Sequence, residues 1–157
     1  MPRKTDRQKR VSTAVLLSRI FNTKSIENYI ARNREHMTLP TLAGHLEELC
    51  RKKGVKPSEA VKNADIDRFY GSKIFSGKRA NPHRDYLIRL AIGLTLDYKE
   101  CQRLLDVARE SRLYPRVPRD AVIISCLRDK LTYMQTEERL YENGMTVLGE
   151  EHEKNPS

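Results

Sequence analysis

The residues best equipped for chemistry cluster between positions 56 and 79, in KPSEAVKNADIDRFYGSKIFSGKR. Arg68, Ser72 and Ser76 recur at i, i+4 and i+8 and are flanked by Phe69 and Lys73, so one helix face is polar, partly basic and sized for a groove. Ile66, Tyr70 and Ile74 repeat the spacing on the other side and are suited to anchor the helix inward. GSKIFSGKR has the outline of a phosphate loop. Five residues separate Gly71 from Gly77, however, where the nucleotide-binding motif needs four, and Arg79 stands where a Ser or Thr would hold magnesium. His36, His45, His83 and His152 show no ligand spacing, and no nucleophile has a base signature near it. The chain is therefore expected not to be an enzyme, to hold no metal and to need no cofactor; no small-molecule ligand is evident.

The elements that must position these residues read as helices. The first ten residues carry five Lys/Arg and one Asp and form a basic arm. Val15, Leu16, Arg19 and Ile20 predict a short amphipathic helix after Ser12, and SIENYIARNREHM predicts another, opened by Ser25. Leu42, Leu46, Leu49 and Cys50 mark a helix that ends at Gly54, which can supply a left-handed stop. Pro57 suits a first helical position, and Ala60, Val61 and Ala64 offer a small apolar face for a close crossing. The next helix is predicted from Asp67, its N-cap, to Ser76, with Gly77 as the stop. RDYLIRLAI follows, and Asp97 with Glu100 resembles a capping box ahead of the stripe Cys101, Leu104, Leu105 and Ala108. AVIISCLRD is apolar almost all round, which does not separate helix from strand by periodicity; helical neighbours and Pro118 at its start favour a helix over 119–128. Tyr133, Leu140 and Tyr141 form a final stripe before Asn143 and Gly144. LTLDYKECQRLL and LTYMQTEERLY are faintly alike, a likeness attributed to shared capping chemistry and not to a repeat.

Charge narrows the class of partner. The net charge is +9, and its distribution is uneven: residues 1–35 hold nine Lys/Arg against three acids and residues 36–90 eleven against six, whereas residues 121–157 hold four against seven. A basic excess confined to the segment that carries the polar helix face points to a polyanion. Cys50, Cys101 and Cys126 are odd in number, far apart and without a CxxC, and each falls on an apolar stripe, so buried thiols in a reducing compartment are expected. No stretch approaches the apolar length of a membrane span, and the basic start lacks a small-residue cleavage site. A cytoplasmic protein with no membrane partner is expected.

The stretch LEELCRKKGVKPSEAVKNADIDRFYGSKIFSGKRANP resembles the helix-turn-helix family of the lambda repressor and Cro, also called the xenobiotic-response-element family. With the helix at 84–92 and the GLTLD turn, the resemblance covers roughly residues 41–97. A larger bacterial group with this core shares the N-terminal helical segment and the LYPRxxRDAxI segment, here Leu113 to Ile123. The resemblance implies an all-α fold: a five-helix core with extra N- and C-terminal helices. It assigns Arg68, Phe69, Ser72 and Lys73 to base-facing positions, and Lys56, Ser58, Lys78 and Arg79 to backbone-phosphate positions. The chain departs from the family where Pro57 and Ser58 replace a frequent Gln, where Asp65 replaces the turn Gly, and where Gly71 replaces an apolar core residue whose space Tyr70 is expected to fill.

Four segments follow: 1–40, basic arm and N-terminal helices; 41–97, helix-turn-helix core; 98–149, helical extension; 150–157, acidic tail. The expected function is sequence-specific binding of double-stranded DNA by a transcriptional regulator. It would act as a homodimer, with residues 98–144 either pairing the copies or simply buried on the core. The alternative is an adaptor or antitoxin-like module that keeps the helix-turn-helix shape and uses the Phe69 face or the C-terminal helices to hold protein.

Overall fold

The computed structural model describes residues 11–149, which form nine α-helices, one 3-10 turn and no strand. The all-α expectation holds, and 119–128 lies within a helix. The basic arm and the acidic tail fall outside the described residues. The chain divides into two compact units, one ending at Leu39 and one beginning at Pro40.

The first unit is a helical hairpin. Helix α1 (Thr13–Asn22) starts where the Ser12 hydroxyl accepts from the Val15 N–H, and α2 (Ile26–Asn33) where Ser25 accepts from the Asn28 N–H. Arg19 donates to the Asn33 carboxamide oxygen, and Asn33 donates in turn to the Tyr29 carbonyl at 2.8 Å. Tyr29 and Asn33 are the buried residues of these two helices. A 3-10 turn, Arg34–His36, closes the unit.

The second unit holds the core. Helix α3 (Leu42–Lys53) buries Leu42, Leu46, Leu49 and Cys50 and stops at Gly54, whose φ of +66° is left-handed, as the sequence predicts. Helix α4 (Pro57–Asn63) opens on Pro57, and α5 (Arg68–Phe75) is capped by Asp67, which accepts from the Phe69 N–H at 3.2 Å. Helix α6 (Arg84–Gly93) is buried along its whole length from Asp85 and touches α4, α7 (Tyr98–Val107) and α9 (Tyr133–Glu142). Its Gly93 lies inside the helix and is not its stop: a Cβ there would come within 2.6 Å of the Ala60 carbonyl and 3.2 Å of the Ala64 Cβ. The small face of α4 therefore serves a backbone-close crossing with α6. The left-handed turn residue after α6 is Thr95, at φ +54°.

Helix α8 (Pro118–Arg128) begins a second hairpin that repeats the α6–α7 hairpin 35 residues on, since Arg84 and Asp85 correspond to Arg119 and Asp120. Arg84 donates to the carbonyls of Ser111 and Arg112, and Arg119 to those of Thr146 and Val147. Thr95 and Lys130 are both at φ +54°, and Asp97 and Thr132 both close capping boxes, with Glu100 and Gln135. Gln102 accepts the Leu113 N–H at 2.8 Å and Glu137 the Leu148 N–H at 2.7 Å, each leaving a buried leucine. The hairpins also exchange partners: Arg84 binds Asp120 through both terminal nitrogens, and Arg119 binds Asp85 likewise. Reciprocal pairing of this kind relates them by an approximate two-fold axis. The two LT segments do share capping chemistry, as the sequence suggests, and the caps are in addition equivalent positions of the two hairpins. Aligned on the caps Asp97 and Thr132, Leu96, Tyr98 and Leu105 correspond to Leu131, Tyr133 and Leu140. Within α9 the buried residues are Tyr133, Thr136 and Leu140; Tyr141 is 79% exposed and does not join the stripe.

Candidate nucleic-acid interface

Helices α4 and α5 meet through a turn in which each residue has a distinct duty. Ala64 caps α4, Asp65 turns the chain at φ +53°, Ile66 is buried, and Asp67 starts α5. Asp tolerates the left-handed conformation better than most side chains, because its short polar side chain can hydrogen-bond locally. The turn is held from below by Arg89 of α6, which is 1% exposed. Its Nε donates to the Ala64 carbonyl at 3.1 Å and its Nη2 to the Asp65 carbonyl, while the guanidinium lies 5.3 Å from the Tyr86 ring centre and 4.8 Å from that of Tyr133. Burying a cation requires this kind of compensation by acceptors and aromatic faces.

Gly71 sets the approach of α5 to α4. A Cβ at this position would stand 2.5 and 2.6 Å from the two methyl groups of Val61 and 3.1 Å from its Cβ. The space expected to be filled by Tyr70 is thus occupied by Val61. Tyr70 instead packs on Tyr86, with ring centres 4.4 Å apart, and Arg79 covers it at 5.3 Å. Burial pushes the Tyr70 hydroxyl above its ordinary pKa, as does the neighbouring Tyr86 phenol, so it remains a neutral hydrogen-bonding group.

With Ile66 and Ile74 buried, the opposite side of α5 faces solvent. Arg68, Phe69, Ser72 and Lys73 are all exposed, Phe69 by 70%, and the Arg68 guanidinium lies 5.0 Å from the centre of the Phe69 ring. Among the described residues, Arg68, Lys73, Lys56 and Lys78 form no ion pair with a carboxylate. Between α4 and α5 runs a groove of about 780 Å³. Ser58, Arg68 and Ser72 line it, together with Lys62 and Ser76, over a floor that includes Val61, Gly71 and Phe75. Phe69 and Lys73 lie on the exposed surface of α5 outside that lining; Lys56 at the N-cap of α4, exposed Lys78 and half-buried Arg79 in the loop after α5 also lie outside it. That loop is fastened to α5: the Arg79 N–H donates to the Lys73 carbonyl at 2.9 Å and the Lys78 N–H to the Ser76 hydroxyl at 3.4 Å.

Sequence reasoning missed two participants. Lys62 lies one turn beyond Ser58 on the same wall, so the i, i+4 spacing could have found it. Arg89 stands amid the apolar run LIRLAI, where a lone cation in phase with buried neighbours signals a buried role.

The carboxylates have structural duties as well. Asp67 is engaged as an N-cap and Asp65 belongs to the turn, which leaves the mid-helix row free of acids. Elsewhere, the three cysteines are free thiols and buried, and burial raises Cys101 to a pKa of about 12. No described helix is long and apolar enough to cross a membrane. Comparison of the chain with protein-family models, with curated proteins and with solved structures finds no match.

Proposed function

We propose that this chain is a sequence-specific DNA-binding transcriptional regulator, a bacterial cytoplasmic protein of the repressor and Cro type that inserts α5 in the major groove as one half of a homodimer. The observation that supports this reading is the exposed row Arg68, Ser72 and Lys73 on α5, in which Arg68 and Lys73 form no ion pair among the described residues, while the turn behind them is held by a buried arginine. A rigid scaffold beneath unengaged donors suits base readout, because donors whose geometry is already set lose little freedom on binding. Arg68 is suited to the paired acceptors of a guanine edge, and Phe69 to a thymine methyl. Lys56, Ser58, Lys78 and Arg79, with Lys62 added, are suited to phosphates on either side.

The test is selection of bound duplexes from a random pool by the purified chain at two salt concentrations. A palindromic sequence should be enriched by the wild type and lost in the Arg68→Ala/Lys73→Ala variant. Salt-sensitive retention without any enriched sequence would sink the proposal. One observation favours the second reading, a protein-holding module: Phe69 presents a large apolar ring on the same face. Under that reading the double variant keeps its partner and Phe69→Ala loses it.

Leu104, Leu105, Ile123, Leu127 and Leu140 are all buried within the unit to which they belong, which favours packing of residues 98–144 on the core over their use as the pairing surface.

A further inference from the structure

We infer that two copies of this chain pair through α1, antiparallel, about a two-fold axis that passes between Leu17 and Ser18. The bond from Arg19 to Asn33 fixes which side of α1 faces α2. The side turned away carries Thr13, Ala14, Leu17, Ser18 and Phe21, all exposed and none charged. Phe21 is 80% exposed and Leu17 51%. An uncharged helix face is out of place against solvent in a chain of which 32% is charged, and it reads as a face that awaits a partner.

The pattern of sizes selects the partner. Along the stripe the residues run small, large, small, large: Ala14, Leu17, Ser18, Phe21. Reversed, the order becomes large, small, large, small, so an antiparallel second copy places Phe21 over Ala14 and Leu17 over Ser18, twice each. This is the self-complementarity that a two-fold interface requires. A heterologous partner would have no reason to match the reversal. Two ten-residue helices make an interface smaller than the roughly 1,200 Å² at which stable interfaces begin, so the pair is a weak one that gains from two half-sites on one duplex. The pairing rests on the DNA reading for its purpose but not for its geometry.

The experiment combines sedimentation with cysteine cross-linking of the full chain. The native thiols are buried, so an introduced surface cysteine is the one that reports. Wild type at about 100 μM should sediment as twice 18.3 kDa, and Phe21→Glu should weaken association at least about 100-fold with an unchanged circular dichroism melt. Mild oxidation of a mixture of Ala14→Cys and Phe21→Cys chains should yield the mixed disulfide. Phe21→Cys alone should not cross-link, because its two copies lie about 10 Å apart along the axis, seven residues at a helical rise, beyond disulfide reach. A monomeric wild type at that concentration overturns the inference. So does a dimer indifferent to Phe21→Glu, or efficient self-linking of Phe21→Cys without the mixed product, which would mean a parallel or different pairing. Dimerisation with no enriched DNA sequence would defeat the proposed function and leave this pairing intact.

Discussion

Replacing Gly71 by Ala should destabilise the protein even though it improves helix propensity. In an exposed helix interior the change is favourable by about 1 kcal/mol, because Ala loses less backbone freedom than Gly on folding. Here the added Cβ meets both Val61 methyls at 2.5 and 2.6 Å and the Val61 Cβ at 3.1 Å. Val61 is β-branched, so rotation about χ1 exchanges one clashing methyl for another and gives no escape. Relief requires α5 to move off α4, an overpacking cost of about 2–3 kcal/mol. The net loss is about 1–2 kcal/mol, which lowers a urea midpoint by about 0.5–1 M for a slope of about 2 kcal/mol/M. Trimming the obstacle should reverse the sign: in a Val61→Ala background, Gly71→Ala should stabilise by up to about 1 kcal/mol, giving a coupling of about 2–3 kcal/mol in the double-mutant cycle. Urea unfolding of the four proteins, followed by circular dichroism, measures all of these terms. Additive effects, or a more stable Gly71→Ala single variant, would refute the argument that Val61 is why glycine stands in mid-helix.

Arg89→Met should cost about 3 kcal/mol in the same assay, since it removes two charge-assisted bonds from the turn carbonyls and leaves those acceptors beside an apolar side chain; an unchanged midpoint would show that the turn holds without it. Stability should also fall on the acid side because of Glu100. Burial pushes this carboxyl up, but hydrogen bonds from Lys53, the Asp97 N–H and Lys52 outweigh it and leave the pKa below the ordinary 4.5. The folded value being the lower one, this contribution is complete above pH 4.5 and disappears as pH falls through the folded pKa. Glu100→Gln should therefore flatten the pH dependence of stability below 4.5, and an unaltered acid limb would discount the pair with Lys53.

Local chemistry was legible in the sequence, and tertiary chemistry largely was not. Ser12, Ser25, Asp67 and Asp97 cap their helices, Gly54 takes the left-handed stop, and Pro57 and Pro118 open theirs, because each effect depends on a side chain and backbone a few residues apart. The outward row of α5 followed from spacing alone. The occupant of the space beside Gly71 did not, because Val61 reaches it from another helix. The repeat escaped for a related reason: what it preserves is a set of long-range partners, Arg84 with Ser111 and Arg119 with Thr146, and few identical residues.

The repeat also explains why its two halves do different work. Their scaffolding residues agree, from the Arg–Asp pairs to the caps and the buried Leu113 and Leu148, yet position 89 holds Arg and its equivalent, 124, holds Ile. The arginine is the side chain that reaches the α4–α5 turn, and it lies against Tyr133, which begins α9 of the second hairpin. One hairpin thus supplies the grip on the turn, and the other supplies an aromatic face against which that grip is held. A helical extension of this kind has a structural task besides any in dimerisation: it supplies the ring that backs the arginine at the α4–α5 turn. If α5 reads DNA, changes at Tyr133 should alter binding through the orientation of Arg68 and Lys73, although Tyr133 is itself buried and lies on another helix.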